Sequence, residues 1–390
     1  MKLFLIAGEP SGDKLGGALM AGLGELDPGV AFHGIGGPLM QAEGMESLFP
    51  MEELSVMGLT EVLPRLPGLL RRRDEAAEAV LDLKPDALIT IDSPDFCLRV
   101  AAKVKAKRPD LPVIHYVAPS VWAWREKRAV KMARHVDHVL ALLPFEPPYM
   151  EAAGMTCDFV GHPVVAERPP SVGEVQDLMA ELGLDPERPI VVVLPGSRRG
   201  EVERLAEPFG AALGLIGTPD MQVVVPTAGA VTDLVAEKVA DWPLEAKLLD
   251  PRGMAPDLAE ARKRSAFAAA HLALAASGTV GLELAMAGCP GVIAYKMAPI
   301  TTFLVRRAVK VKYANLVNIL LDRDAVPELL FDACTPGNIA AALDALLEDP
   351  SARVAQQAAM AKAMRMLGQG GEPPGLRAAR SVLDRLARQE

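Results

Sequence analysis

"KLFLIAGEPSGDKLGGALMAGLGEL", residues 2–26, runs from an apolar stretch of strand character through a glycine-rich turn into a segment with helical apolar spacing. Strand, turn and helix in that order are the unit from which a parallel sheet flanked by helices is assembled. The glycines fall at Gly8, Gly12, Gly16 and Gly17. That spacing is not the Gly-x-Gly-x-x-Gly of a dinucleotide loop, so the turn predicts a fold without naming a ligand.

Working outward, the unit repeats. "VAFHGIGG", "PDALITID" and "LPVIHYVAP" supply further strands, and after "ERPPSVGEVQDLMAELGLDPERP" (167–189) a second set begins with "IVVVLPGS", "MQVVVPTA", "EAKLLD", "LALAASGT" and "PGVIAYK". The pattern predicts an α/β chain of two Rossmann-like, doubly wound domains, 1–165 and 166–364, whose facing sheets make a cleft. A helical tail, 365–390, is expected to pack back on the N-terminal domain. In such sheets ligands bind beyond the carboxyl ends of the strands, which directs attention to the residues after each apolar run.

The bulk numbers agree. A chain of 390 residues exceeds one hydrophobic core, and half its residues are hydrophobic. A net charge of −9 with 4% aromatic residues argues against nucleic acid as a partner. Cys97, Cys157, Cys289 and Cys334 show no CxxC spacing and read as reduced, buried thiols of a cytoplasmic protein. The first strand starts without a signal-peptide pattern, and no uncharged apolar run approaches about 20 residues, so any membrane contact is expected to be peripheral.

"IVVVLPGSRRGEVERL" is a strand, a Pro-Gly turn and a helix start carrying Gly196, Ser197, Arg198 and Arg199. Free N–H groups at a helix start favour a phosphate or diphosphate, and the absence of GK[ST] excludes a Walker loop. The plain alternative is that Ser197 caps the helix and the arginines are solvated. "LALAASGTVGLELAMAGCP" repeats the design with Ser277, Gly278 and Thr279. Ser277 and Thr279 suit helix capping and ligand contact. Glu283, one turn on in an apolar helix, wants donors such as sugar hydroxyls unless it is simply exposed.

"LITIDSPDFCLRV" sets Asp92 at a strand end and Asp95 three residues later: one is a candidate base, or both organise a turn. "HYVAPSVWAWREKR" carries Ser120, Trp122, Trp124 and Arg125, a wall for sugar or acyl contacts or else core packing. His115 and His162 lack partners at ligand spacing and read as structural. The pair Asp322 and Asp324 lies away from the nucleotide-side strand ends, so no metal is expected. Basic, apolar clusters at 65–73 and 303–312 have the composition of a membrane-surface contact or of a solvated helix face.

In order, "GEPSGD", "GPLMQAEGMESLF", "LSVMGLTEVLPRL", "IDSPDF", "HYVAPSVWAWREKR", "LPFE", "GHP", "LPGSRRGEV" and "ASGTVGLELA" resemble the motifs of the lipid-A-disaccharide synthase family, inverting glycosyltransferases of GT-B architecture. Cys97 stands where that family usually has asparagine. The resemblance implies transfer of 2,3-diacylglucosamine from UDP-2,3-diacylglucosamine to the 6-hydroxyl of 2,3-diacylglucosamine 1-phosphate. It implies Asp92 as base and Arg198 on the leaving diphosphate. Ser197 and its neighbours hold phosphate, and Thr279 and Glu283 hold phosphate and ribose. It further implies UDP-sugar as substrate with no cofactor, attachment to an anionic cytoplasmic membrane face near 54–73 and 303–312, and compatibility with a homodimer. The opening stretch then falls to the acceptor side, through Glu9, Ser11, Gly12 and Asp13, together with Ser120 and Trp122. Rival readings of the same frame are a lipid II-forming transferase, a UDP-sugar 2-epimerase, and a non-catalytic nucleotide-sugar or lipid binder.

Overall fold

Buried apolar runs punctuated by Gly, Pro, Ser and Asp become two six-stranded parallel sheets in the computed structural model. It describes residues 1–54, 59–124, 127–216, 220–298, 302 and 311–388, with the backbone alone for 59–65. The chain divides into two units: Met1–Ala166 with Leu367–Glu390, and Glu167–Met366.

In the first unit the strands are β1 (Lys2–Ala7), β2 (Ala31–Ile35), β3 (Ala87–Ile91), β4 (Val113–Tyr116), β5 (His138–Ala141) and β6 (Thr156–Phe159), in the order β2-β1-β3-β4-β5-β6. Successive strand residues face opposite sides. Phe4 and Ile6 therefore join one core with Leu88, Val113 and Val139. Leu3 and Leu5 join the other with Ile89, Ile114 and Leu140. The second face is covered by the first helix, Pro10–Leu26, and by the last, Pro374–Ala387, which brings Ala378, Ala379 and Val382 into that core.

The last helix is held by small residues and polar pins. A Cβ on Gly375 would lie 2.4 Å from the Ala18 carbonyl oxygen, and one on Gly22 2.8 Å from the Gly375 carbonyl oxygen, so the two helices approach backbone to backbone. The Ser381 hydroxyl donates to Asp158 at 2.7 Å and sits 2.9 Å from His138 Nε2, while Arg377 donates to the Phe159 carbonyl at 2.6 Å. Gly375→Val has no room at this crossing. It is expected to destabilise the first unit by about 3 kcal/mol, the upper range for overpacking. Hydrogen exchange should quicken in β1, β3 and β5 and stay unchanged in the second unit; unchanged exchange throughout would contradict the packing argument.

In the second unit β7 (Ile190–Leu194), β8 (Gln222–Pro226), β9 (Ala246–Leu249), β10 (Leu272–Ala276), β11 (Gly291–Tyr295) and β12 (Glu328–Leu330) lie in the order β12-β11-β10-β7-β8-β9. One core, including Val191, Val193, Phe209, Leu274 and Val292, packs one face of the sheet. Each sheet reverses its winding beside its first strand: between β1 and β3 in one unit, between β7 and β10 in the other. Such switch points open a crevice at the carboxyl edge.

Candidate functional site

At the switch point of the second unit lies a cavity of about 550 Å³. Its walls are the loops that leave four neighbouring strands: Gly196–Arg198 after β7, Thr227–Gly229 after β8, Asp250 and Pro251 after β9, and Ser277–Thr279 after β10. Gly196, Ser197, Arg198, Ser277, Gly278, Thr279 and Glu283 thus meet in one pocket. Gly196 has φ +121°, and an added Cβ would fall 2.5 Å from Glu201 Cβ, so this turn demands glycine.

The helix Arg199–Leu213 starts at the pocket, and the two N–H groups just before it are already engaged. Glu201 Oε2 accepts from the backbone N–H of Ser197 at 3.1 Å and of Arg198 at 3.3 Å. Its Oε1 receives the Tyr295 hydroxyl at 3.3 Å and lies 3.6 Å from Arg198 Nη1. A carboxylate of this chain therefore occupies donors that the sequence reading gave to phosphate, as an acidic third residue does at a helix start. The Arg198 side chain, 71% exposed, extends from the pocket wall. Arg199 departs from expectation: it begins the helix, does not line the cavity, and pairs with Glu203 one turn on at 3.4 Å. Capping at the second loop departs too, since Thr279 makes no side-chain cap bond to the helix Val280–Ala287.

Glu283, four residues after Thr279, faces the cavity with an ion partner that sequence reasoning missed. Lys263, from the helix Pro256–Ala269, places Nζ 2.8 Å from Glu283 Oε2 and 2.8 Å from Glu260 Oε2. Burial alone would lower the lysine pKa, but attraction to Glu283 and Glu260 outweighs it and raises it. No sequence motif marks Lys263, because it arrives by packing of one helix against another.

The first unit gathers its candidates at the equivalent edge. Gly8 follows β1 and lies beside Ser93, where an added Cβ would stand 2.8 Å from the Ser93 hydroxyl. Asp92 and Ser93 both have positive φ, 50° and 41°, and Val117 after β4 has φ 86°. Three non-glycine residues in this region of backbone space store strain of about 1–3 kcal/mol each, a cost that folds retain where a side chain must be aimed. Asp92 N–H donates to the Tyr116 carbonyl at 2.9 Å, which fixes the turn. Its carboxylate is half-buried and makes no hydrogen bond or ion pair among the described residues. Asp95 lies in the first turn of the helix Pro94–Lys107 and is exposed.

Other expected acceptor-side residues divide. Glu9 and exposed Ser11 sit at the start of the first helix, with Gly12 beneath them 3.4 Å, by its added Cβ, from the Ile91 carbonyl. Asp13 is a correction: it is buried, and its carboxylate accepts from the N–H groups of Gly37, Leu39 and Met40 at 2.8, 3.0 and 3.0 Å. It caps the short helix Pro38–Ala42 from across the chain, which leaves it no ligand-facing oxygen. Ser120 is exposed, whereas the Trp122 indole is tied down, its Nε1 donating to Glu146 at 3.2 Å and its ring edge-on to Phe145 at 5.1 Å. Burial pushes the Glu146 carboxyl up to about 7. His115 is buried against Thr90 at 2.8 Å, and burial lowers it to about 4.

Against this geometry, a family model described as "Lipid-A-disaccharide synthetase" matches residues 3–372. The chain belongs to the lipid-A-disaccharide synthase family. It is 60% identical over 388 residues to the lipid-A-disaccharide synthase of Ruegeria pomeroyi, covering 99% of this chain and 96% of the relative. With that of Rhodospirillum centenum it shares 53% over 385 residues, 98% and 94% of the two chains. Among solved structures, UDP-GlcNAc 2-epimerase from Neisseria meningitidis bound to UDP-GlcNAc superposes with a TM-score of 0.66 at 12% identity, covering both chains completely. The Methanocaldococcus jannaschii UDP-GlcNAc 2-epimerase in complex with UDP-GlcNAc and UDP gives 0.60 at 14%, covering 99% and 100%. These likenesses show the fold, the two-Rossmann-domain GT-B architecture.

In this member of the lipid-A-disaccharide synthase family the basic clusters are only partly visible. Residues 303–310, the side chains of 59–65, and Arg125 lie outside the described residues. Within 66–73, Arg72 is bound to Glu53 and Glu75 and stacks over Phe49, and Arg73 pairs with Asp74. Leu66, at 41% exposure, and Arg71 remain on the surface. Among the described residues no helix is long and apolar enough to cross a membrane, and no group of three or more His, Cys, Asp or Glu is placed to hold a metal ion.

Proposed function

We propose that the chain transfers 2,3-diacylglucosamine from its UDP donor to the 6-hydroxyl of 2,3-diacylglucosamine 1-phosphate, yielding UDP and the β-1′,6-linked disaccharide 1-phosphate. The observation that carries this reading is membership of the lipid-A-disaccharide synthase family across residues 3–372. An α-linked donor and a β-linked product require one inverting displacement. The acceptor O6 attacks C1, the bond from C1 to the diphosphate oxygen breaks with its electron pair leaving on UDP, and the acceptor proton passes to a base.

Asp92 is assigned as that base, supported by its strained backbone at the switch point of the first unit and by a carboxylate without a hydrogen bond or ion pair among the described residues. Arg198 is assigned to the departing diphosphate, supported by its exposed guanidinium on the cavity wall. Gly196, Ser197, Ser277, Gly278 and Thr279 line the volume offered to the diphosphate, and Glu283 is assigned to the ribose. For phosphate to reach the Ser197 and Arg198 N–H groups, the Glu201 carboxylate must turn aside. Glu9, Ser11 and Gly12 are assigned to the acceptor; Asp13 and Trp122 support it from behind.

Both substrates carry acyl chains, so the enzyme is read as working at the cytoplasmic face of the inner membrane, attached through residues near 54–73, where Leu66 and Arg71 are exposed. The test presents both substrates in vesicles containing anionic lipid, at low salt and with a metal chelator. Release of UDP and disaccharide, with the protein recovered on the vesicles, is the expected result. Absence of product would remove the reading, and product with the protein left in solution would remove only the attachment.

A further inference from the structure

We propose that Lys263 is a positioning residue: it holds Glu283 so that one carboxylate oxygen is presented to a sugar diol in the cavity, and preference for ribonucleotide over deoxyribonucleotide depends on it. The proposal rests on reading this cavity as a nucleoside-diphosphate site. Lys263, Glu260 and Glu283 all line it. Their charges sum to −1, which without the lysine would be −2 in a pocket that has to admit an anion.

The lysine ammonium, whose side chain is 25% exposed, contacts Oε2 of both carboxylates at 2.8 Å. Glu283 Oε1 makes no hydrogen bond among the described residues. A carboxylate gripped by one oxygen has its plane fixed and its second oxygen free to accept. Adjacent hydroxyls of a ribose are donors suited to that role, and hydrogen bonds to a charged acceptor are stronger than those between neutral groups. Thr279, one helical turn before Glu283 on the same helix, lines the same cavity. Gly196–Arg198, assigned to phosphate, come from a different strand end and make no hydrogen bond or ion pair with Lys263 among the described residues. A purely structural ion pair would influence all ligands of the pocket alike; a positioning role acts on the sugar.

The test compares binding of UDP and 2′-deoxy-UDP by calorimetry. Wild type is expected to prefer UDP about tenfold or more, the scale on which a missing hydroxyl is felt at a charged acceptor. Lys263→Met and Glu283→Gln are each expected to bring the ratio within about twofold, with UDP still bound. An unchanged ratio in Lys263→Met, or equal weakening of both ligands with the ratio kept, overturns the proposal. Should methionine prevent folding, Lys263→Ala likewise removes the donor to Glu283, and an unchanged ratio in that variant overturns it equally. If wild type binds no UDP, the nucleotide reading itself fails; if Glu283→Gln alone loses the preference, only the role of Lys263 fails.

Discussion

Replacing Asp92 by asparagine is expected to reduce turnover about 10³-fold, within the range contributed by a positioned general base. The amide matches the carboxylate in size and cannot accept the acceptor's proton. Asp92 makes its fixed contact through its backbone N–H to Tyr116, so the turn and its positive φ should survive the change. UDP affinity should remain within about twofold, since the cavity assigned to the nucleotide belongs to the other unit. Pre-steady-state measurement of UDP release, with calorimetric UDP binding alongside, separates the two effects. Retention of full turnover would take the role of base away from Asp92.

Arg198→Ala is expected to cost about 10²–10³ in kcat, the scale on which one donor to developing negative charge is felt. Here UDP binding should weaken as well, because the charge is present in product as much as in the transition state. Stability should not change: the side chain is 71% exposed, and its contact with Glu201, at 3.6 Å, is a surface pair worth little. Arg198→Lys should recover part of the rate, since it restores a charge without the planar fork that grips two oxygens. Thermal melts of equal midpoint with kcat reduced are the expected pattern. An unaltered kcat in Arg198→Ala would move leaving-group stabilisation to other groups of the pocket.

Strands of nearly uninterrupted apolar residues were legible: β1, β3, β7 and β10 are buried along most or all of their length and are followed by the turn residues Gly8, Asp92, Pro195 and Ser277. The carboxyl edge of both units, and with it Gly196–Arg198 and Ser277–Thr279, followed from them. β5, β6 and β12 escaped notice. The first two are four residues each, β6 alternates polar with apolar in "TCDF", and β12 has three half-buried residues, too short for periodicity to speak.

Side-chain partnerships across the chain were also hidden. Asp13 follows a glycine turn and looks like a ligand residue, but its partners are 24 to 27 positions away. Lys263 reaches Glu283 only because two helices pack. Glu201 was visible in the quoted loop, and its spacing from Arg198 is a capping spacing, yet only the folded geometry makes it a competitor for phosphate. The acidic partners that tie down Arg72 and Arg73 belong to the same class: composition counts charges and does not say which are already neutralised.

The return of the last helix to the first unit sets an order of events during synthesis. All six strands of that sheet are made by Phe159, yet the cover of one face stays incomplete until Pro374–Ala387 emerges, after the whole of Glu167–Met366 has been translated. The unit begun first is therefore finished last, and the inserted unit can reach its native state while the earlier core, already packed by Leu15, Leu19 and Leu23, still lacks Ala378, Ala379 and Val382. A ribosome stalled before Pro374 would carry a complete second unit and an unfinished first one.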